Sequence, residues 1–309
     1  MNPLQPKLVT VGHILNEIIK FPTYTVGPVL GGPAAYSAIT AGMLGERTGI
    51  LTRIGTDMPR QLLQPFFDAK VDTGGIKIEG DKSTSNVLLY DGLGNKEMQF
   101  LKKAPDISLE DFPRDYLSAE MLHICPIDNE VSIETLRSLK ERGATMSSDL
   151  SGYGGTPSGG RLPKSKGTRE EILKELIGHF SVVKASMDDC CHMFNKQTVV
   201  PEEAARLFFE WGAEVAIVTL GKMGSLIATE NRISRVPIFS VKTPRDPTGA
   251  GDAYTASFLV EYMRTHDVQW SATFASATAS FITEREGLGC DTRRFPTRSE
   301  VEQRIRNQR

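Results

Sequence analysis

Residues 121–220 alternate short apolar runs with amphipathic stretches, and no other feature of the chain narrows its fold as much. Runs at 121–125, 145–149, 181–184 and 215–220 have the length and composition of strands. Between them, 131–142, 170–178 and 202–211 carry apolar residues at helical spacing. A strand followed by a helix and a second strand returns in the same direction. The repeats therefore predict a mostly parallel sheet covered by helices. The N-terminal part fits the same sheet: 7–11 and 49–54 read as buried strands, and Ala-rich 33–44 as a helix with Pro33 in its first turn. At 309 residues the chain suits one large α/β domain, or such a domain with a minor one attached.

One region breaks the rhythm. Apolar runs at 86–90 and 97–101 flank Asp91-Gly92-Leu93-Gly94-Asn95, which predicts an antiparallel hairpin. Joined by the chain around 21–30, it would make a small sheet outside the main layer, placed to act as a lid. Residues 151–167, rich in Gly, Ser, Pro and Lys, predict a mobile loop. The formal net charge of −2 gives no general attraction to nucleic acid or to anionic membrane, so an anionic ligand must be held by local features. No apolar run approaches the about 18 residues of a membrane span, and 1–15 lacks the apolar stretch of a signal peptide. Cysteines are few (Cys125, Cys190, Cys191, Cys290), and reduced thiols in a cytoplasmic protein are the expectation.

The segment Asp246-Pro247-Thr248-Gly249-Ala250-Gly251-Asp252 runs into a stretch of small residues suited to a thin, closely packed helix. A flexible turn at a helix start presents unpaired backbone N–H groups that can hold an anion, with one carboxylate beside them. That combination suits phosphoryl transfer to an alcohol. The competing reading is a tight strand-to-helix turn whose Asp caps the helix. Upstream, Thr219-Leu220-Gly221-Lys222-Met223-Gly224-Ser225 is a Gly-bounded turn between strands, by itself a plain hairpin. It is not a dinucleotide fingerprint, and the chain contains no Walker A sequence. Gly31-Gly32-Pro33 before the Ala-rich helix is a third Gly-rich turn. His13 and Asn16, just after the first strand, have turn capping as their ordinary role.

In order and spacing these motifs resemble the ribokinase (PfkB) family of sugar kinases, over most of the chain. The resemblance implies an α/β fold: a ribokinase-like three-layer α/β/α sandwich with a mostly parallel central sheet and a small β-sheet lid. It implies one kinase domain over 1–309, its lid built from about 18–32 and 72–103. It makes Asp252 the catalytic base and the amides of Gly249, Ala250 and Gly251 the anion hole. Thr219, Gly221, Gly224 and Ser276 would border ATP, and Asn16, Glu17, Gly31 and Gly32 the acceptor substrate. Glu17 stands where the family usually has Asp, and Tyr36 where many members have Asn, which suggests a subgroup with another substrate. Ser186 and Asp189 stand where relatives have Asn and Glu that order the water around magnesium. Asp246 and Thr248 would contribute to a monovalent-cation site, for potassium, completed by the stretch 283–288.

The reading that follows is an ATP- and Mg2+-dependent kinase acting on a hydroxyl of a small sugar or polyol lying between lid and sheet. A cyclitol or a nucleoside is the alternative substrate within the family. A non-catalytic binding or scaffold protein on the same fold is the alternative of another class, favoured by the changes at Glu17, Ser186 and Asp189 and opposed by the intact Gly-Ala-Gly-Asp turn. Exposed strand edges on a lid make a homodimer compatible with the sequence. Glu130 and Asp149 follow strand ends, where ligands of α/β sheets bind, but ordinary loop capping fits both as well. Cys190-Cys191-His192 is not expected to bind metal, because contiguous residues cannot easily converge on one tetrahedral ion.

Overall fold

The computed structural model describes residues 5–91, 96–155, 162–230 and 232–308. Its strands are β1 (Leu8–Val11), β2 (Leu15–Lys20), β3 (Thr25–Gly31), β4 (Thr48–Ile54), β5 (Asp72–Ile78), β6 (Ser85–Tyr90), β7 (Lys96–Lys102), β8 (Met121–Ile124), β9 (Met146–Asp149), β10 (Val182–Ser186), β11 (Val215–Thr219), β12 (Ser225–Thr229) and β13 (Arg232–Val236). Its helices are α1 (Pro33–Met43), α2 (Gln64–Asp68), α3 (Arg114–Leu117), α4 (Ile133–Glu141), α5 (Arg169–Ile177), α6 (Met187–Phe194), α7 (Pro201–Glu210), α8 (Ala250–Thr265), α9 (Val268–Glu284) and α10 (Arg298–Gln308).

The large sheet has nine strands in the order β13-β12-β11-β10-β9-β8-β1-β4-β5. From β11 to β5 all neighbours are parallel, and β12 and β13 close one edge antiparallel. Side chains alternate between its faces as a pleated strand requires. In β11, Ala216 and Val218 pack under α4 to α7, while Val215 and Ile217 pack under α8 to α10. Both faces are thus buried, which gives the three-layer α/β/α arrangement. Caps set the helix ends. The run expected at 131–142 begins at Ile133 because the Ser132 hydroxyl accepts the Thr135 N–H. Thr168 and Glu171 form a reciprocal capping box on α5.

The second sheet has four strands in the order β3-β2-β6-β7. The expected hairpin is β6–β7, although 92–95 of its connecting loop lie outside the described residues. One part of the expected lid belongs elsewhere. β5, at 72–78, pairs parallel with β4 at the edge of the large sheet, because α2 carries the chain back across that sheet. The small sheet instead starts at Leu15, and its central pair β2–β6 is parallel. Of the segment expected as a mobile loop, 151–153 belong to a largely buried 3-10 turn (Leu150–Tyr153), and 156–161 lie outside the described residues. Among the described residues no helix is long and apolar enough to cross a membrane.

Candidate active site

The base turn leads into α8. Asp246 Oδ1 accepts the Thr248 N–H at 2.9 Å, which closes the turn from the start. Gly249 then caps α8 at φ +82°, in left-handed backbone that a side chain resists. A Cβ there would also lie 2.2 Å from the Tyr36 ring. Tyr36 is buried beneath the turn, with Phe295 6.1 Å away ring to ring. It therefore supports the turn from below. The N-terminus of α8 directs its first amides, and the positive end of its dipole, at one point. Asp252 stands in that first turn.

Lys184 faces the same point, and the motif reading missed it. It comes from β10, 5% exposed, and donates to Asp149 Oδ2 at 2.8 Å. A Cβ on Gly251 would lie 3.1 Å from its Nζ, so the ammonium sits directly against the Gly-Ala-Gly turn. Burial alone would lower its pKa, but Asp149, Asp189 and Asp252 outweigh that and hold the ammonium above its usual value. Asp149 also accepts the Ser151 N–H at 3.1 Å. Glu130 is wholly a loop anchor: its carboxylate accepts the N–H groups of His13, Ile127 and Asp128.

Next to this cluster lies the Gly-bounded turn. Thr219 ends β11 in register with Ser186 on β10 and Ser225 on β12. Gly221 and Gly224 are left-handed, and a Cβ on Gly224 would lie 2.1 Å from the Val236 carbonyl. Ser276, on α9, donates to the neighbouring Pro237 carbonyl at 2.7 Å. The residues expected at the nucleotide therefore border one edge, beside β12 and the end of β13. Ser186 and Asp189 form a reciprocal capping box on α6, which engages both side chains with backbone. Burial pushes the Asp189 carboxyl above the usual range, against Lys184 and with the push of Asp149.

On the lid side, Glu17 is buried and accepts from Asn86 Nδ2 at 2.9 Å. A Cβ on Gly31 would lie 3.3 Å from that carboxylate, and Gly32 turns the chain into α1 at φ +98°. Asn16 is separated from this group. It neighbours Glu17 in β2, so the pleat sends its side chain to the other face, and its N–H pairs with the Thr84 carbonyl. Asn86, not singled out from the sequence, takes the place beside Glu17. Its Oδ1 is buried without a hydrogen-bond partner among the described residues. His13 is no turn cap: Nε2 donates to the Pro105 carbonyl at 3.0 Å and Nδ1 shares a hydrogen bond with the Thr84 hydroxyl at 2.9 Å, tying the main sheet to the lid. Tyr90 of β6 lies near the base turn: burial raises the pKa of its hydroxyl, with Asp246 adding to the rise and Thr248 opposing it. Phe21 stacks on Tyr90 at 5.0 Å and on Tyr24 at 4.5 Å.

Residues 5–293 match the family described as pfkB family carbohydrate kinase. The chain belongs to that family. Among relatives of the pfkB kinase, a cytidine kinase of Thermococcus kodakarensis is 28% identical over 263 residues, covering 83% of this chain and 88% of that one. A nucleoside kinase of Methanocaldococcus jannaschii is 24% identical, covering 98% of each chain. The structure of Arabidopsis thaliana ribokinase complexed with ribose and ATP has a TM-score of 0.79 at 18% identity, covering 97% of this chain and 99% of that one. The fold is thus ribokinase-like.

In this pfkB kinase the expected monovalent-cation site does not fit. The oxygens of Asp246 and Thr248 face the guanidinium of Arg294, which is fully buried. The stretch 283–288 supplies the Thr283 carbonyl to the backbone N–H groups of Arg245 and Asp246. Cys190 and Cys191 are neighbours on α6, and Cys190 is buried.

Proposed function

We propose that this pfkB kinase moves the γ-phosphate of ATP to a primary hydroxyl of a nucleoside. The observation that carries the chemistry is the convergence of Asp252, the buried Lys184 and the Gly249–Gly251 amides on one point at the start of α8. In this reading the acceptor hydroxyl lies against Asp252, which takes its proton as the new O–P bond forms and the bond from the γ-phosphorus to the β-bridging oxygen breaks. ADP leaves with that oxygen, and Asp252 returns its proton to solvent. Lys184 and the three amides face the phosphoryl oxygens, where charge is concentrated through a loose transition state. The proton moves late, when the attacking hydroxyl has become acidic, so a weak carboxylate base suffices.

Thr219, Gly221, Gly224 and Ser276 would border the nucleotide. Asp189 and Ser186 would hold the hydrated magnesium, which when bound neutralises phosphate charge: the capping box engages Oδ2 of Asp189, and its Oδ1 suits a magnesium-bound water. Glu17 and Asn86 suit two adjacent hydroxyls of a ribose, one acceptor being the unpartnered Asn86 Oδ1. The Phe21, Tyr24 and Tyr90 rings offer the aromatic faces on which a base stacks. The cytidine and nucleoside kinases among the relatives support the same choice.

The test is coupled ADP release and product mass across cytidine, uridine, adenosine, inosine, ribose, fructose and myo-inositol. A nucleoside should exceed every free sugar by at least about tenfold in kcat/KM, the scale of one or two polar contacts. Asp252→Asn should lower kcat about 10²–10⁴-fold while ATP still binds. Turnover of a free sugar or inositol above all nucleosides would refute the substrate class. An unaltered Asp252→Asn rate would refute the base.

A further inference from the structure

We propose that Arg294 is this kinase's built-in monovalent cation, so that the base turn needs no potassium or other alkali ion. The proposal takes the catalytic importance of that turn from the function proposed above, whereas its geometry stands independently. Nη2 of Arg294 donates to the carbonyls of Asp246 at 2.9 Å, Thr248 at 3.0 Å and Ile282 at 3.0 Å. Nη1 donates to the Gly289 carbonyl at 3.0 Å, and Asp246 Oδ2 stands 3.6 Å from Nη2.

Backbone carbonyls converging on one point, with a carboxylate nearby, are how proteins replace the water shell of a potassium ion. Here a guanidinium nitrogen occupies that point. Arginine suits it, being permanently charged, planar and rich in donors. Arg294 has no exposed surface, so its place cannot be shared with a solvent ion. The loop is shaped around it: a Cβ on Gly287 would lie 3.0 Å from Arg294 Cγ. A short 3-10 turn, Thr292–Arg294, capped by Asp291, delivers the side chain.

The carbonyls come from the base turn, from α9 and from the loop after it. One side chain therefore fixes the turn that carries Gly249–Gly251 to the rest of the domain. An exchangeable ion would make that order depend on salt composition, as bound ligands stabilise in proportion to their occupancy. A covalently attached cation removes the dependence.

The experiment compares Tm and turnover in choline chloride and in potassium chloride at equal ionic strength, for wild type, Arg294→Ala, Arg294→Met and Arg294→Lys. For wild type, potassium should leave Tm unchanged and change turnover less than about twofold, since no site is open to it. Arg294→Ala should lose about 10²-fold in turnover and fall in Tm in choline, and potassium or guanidinium ion should return at least about tenfold of the loss. If Arg294→Ala does not fold, Arg294→Lys, which keeps one charge, should fold and stay insensitive to potassium. The proposal is overturned by a potassium-dependent rise of Tm or a tenfold rise of turnover in the wild type. It is equally overturned if Arg294→Met keeps wild-type Tm and turnover in choline. Should no acceptor be phosphorylated by any variant, the functional reading fails, but the response of Tm to potassium still decides the role of Arg294.

Discussion

Lys184→Met separates what holds the site together from what it does. The substitution keeps most of the side chain's volume and removes its charge. A unit charge about 4 Å from another is worth about 4 kcal/mol at the effective dielectric constant of about 20 that suits protein sites. Nζ lies 3.1 Å from where a Gly251 side chain would begin, so a phosphoryl group on the turn would be a near neighbour. Only charge that builds up between ground and transition state counts toward kcat, so the expected fall is about 10²–10³-fold, as for loss of one oxyanion donor. The structural cost is separate. Asp149 and Asp189, 1% and 6% exposed, would be left without their cation. Removing one partner of a buried pair costs about 3–5 kcal/mol. Adding Asp149→Asn should return much of that stability and none of the kcat, a coupling read from a double-mutant cycle of urea unfolding. Burial already pushes the Asp189 carboxyl up, and losing Lys184 pushes it further. Protonation then relieves the repulsion, so the stability deficit should shrink as pH falls through that raised value. A kcat within about threefold of wild type at neutral pH would remove Lys184 from the chemistry, since one charge-assisted contact is worth more.

Gly249→Ala should destabilise the fold by about 2–5 kcal/mol, from left-handed backbone and overpacking together. Its Cβ would meet the Tyr36 ring at 2.2 Å, so adding Tyr36→Leu should recover the steric part in a urea titration. Glu17→Gln should raise KM for the acceptor by about 10–100-fold with little change in the KM for ATP, as expected when a charged hydrogen-bond acceptor is neutralised. His123 is fully buried, and burial lowers its pKa from 6.5 to about 4, against the pull of Asp149. The unfolded chain then binds more protons between those values, so stability should rise with pH across that window by roughly 3 kcal/mol in total. His123→Asn should flatten that slope in unfolding midpoints measured from pH 4 to pH 7, and an unflattened slope would assign it to other groups.

How much of this was legible depended on whether a feature is written in side chains or in backbone. The strands β8 to β11 stood out because burial on both faces needs continuous apolar runs. β5, with sequence Asp-Thr-Gly-Gly-Ile-Lys-Ile, is a half-exposed edge strand without such a run, and it was read as lid. The parallel β2–β6 pairing joins residues roughly 70 apart, and pairing at that distance leaves no local pattern. The turn into α8 was legible through its glycines, because a left-handed Gly249 cannot be another residue cheaply. Lys184 did leave a signal: a lone charge ending an apolar strand must find a partner when that strand is central.

Arg294 left none. Its neighbour Arg293 is largely exposed while Arg294 is buried, and the two letters are identical. What distinguishes them is a set of carbonyls supplied by Asp246, Thr248, Ile282 and Gly289, and every residue type supplies the same carbonyl. A site made of backbone oxygens therefore cannot be read from the residues that build it, only from the cation that fills it. Asp246 and Thr248, expected at an ion, instead present a carboxylate and two backbone carbonyls to Arg294. Whether the positive charge there arrives dissolved or attached to the chain is decided 46 residues further on, by Arg294, whose side chain reaches back to Thr248. That is why the same turn is compatible with an ion-activated kinase and an ion-independent one, and why the comparison of potassium with choline, more than any property of the turn itself, distinguishes them.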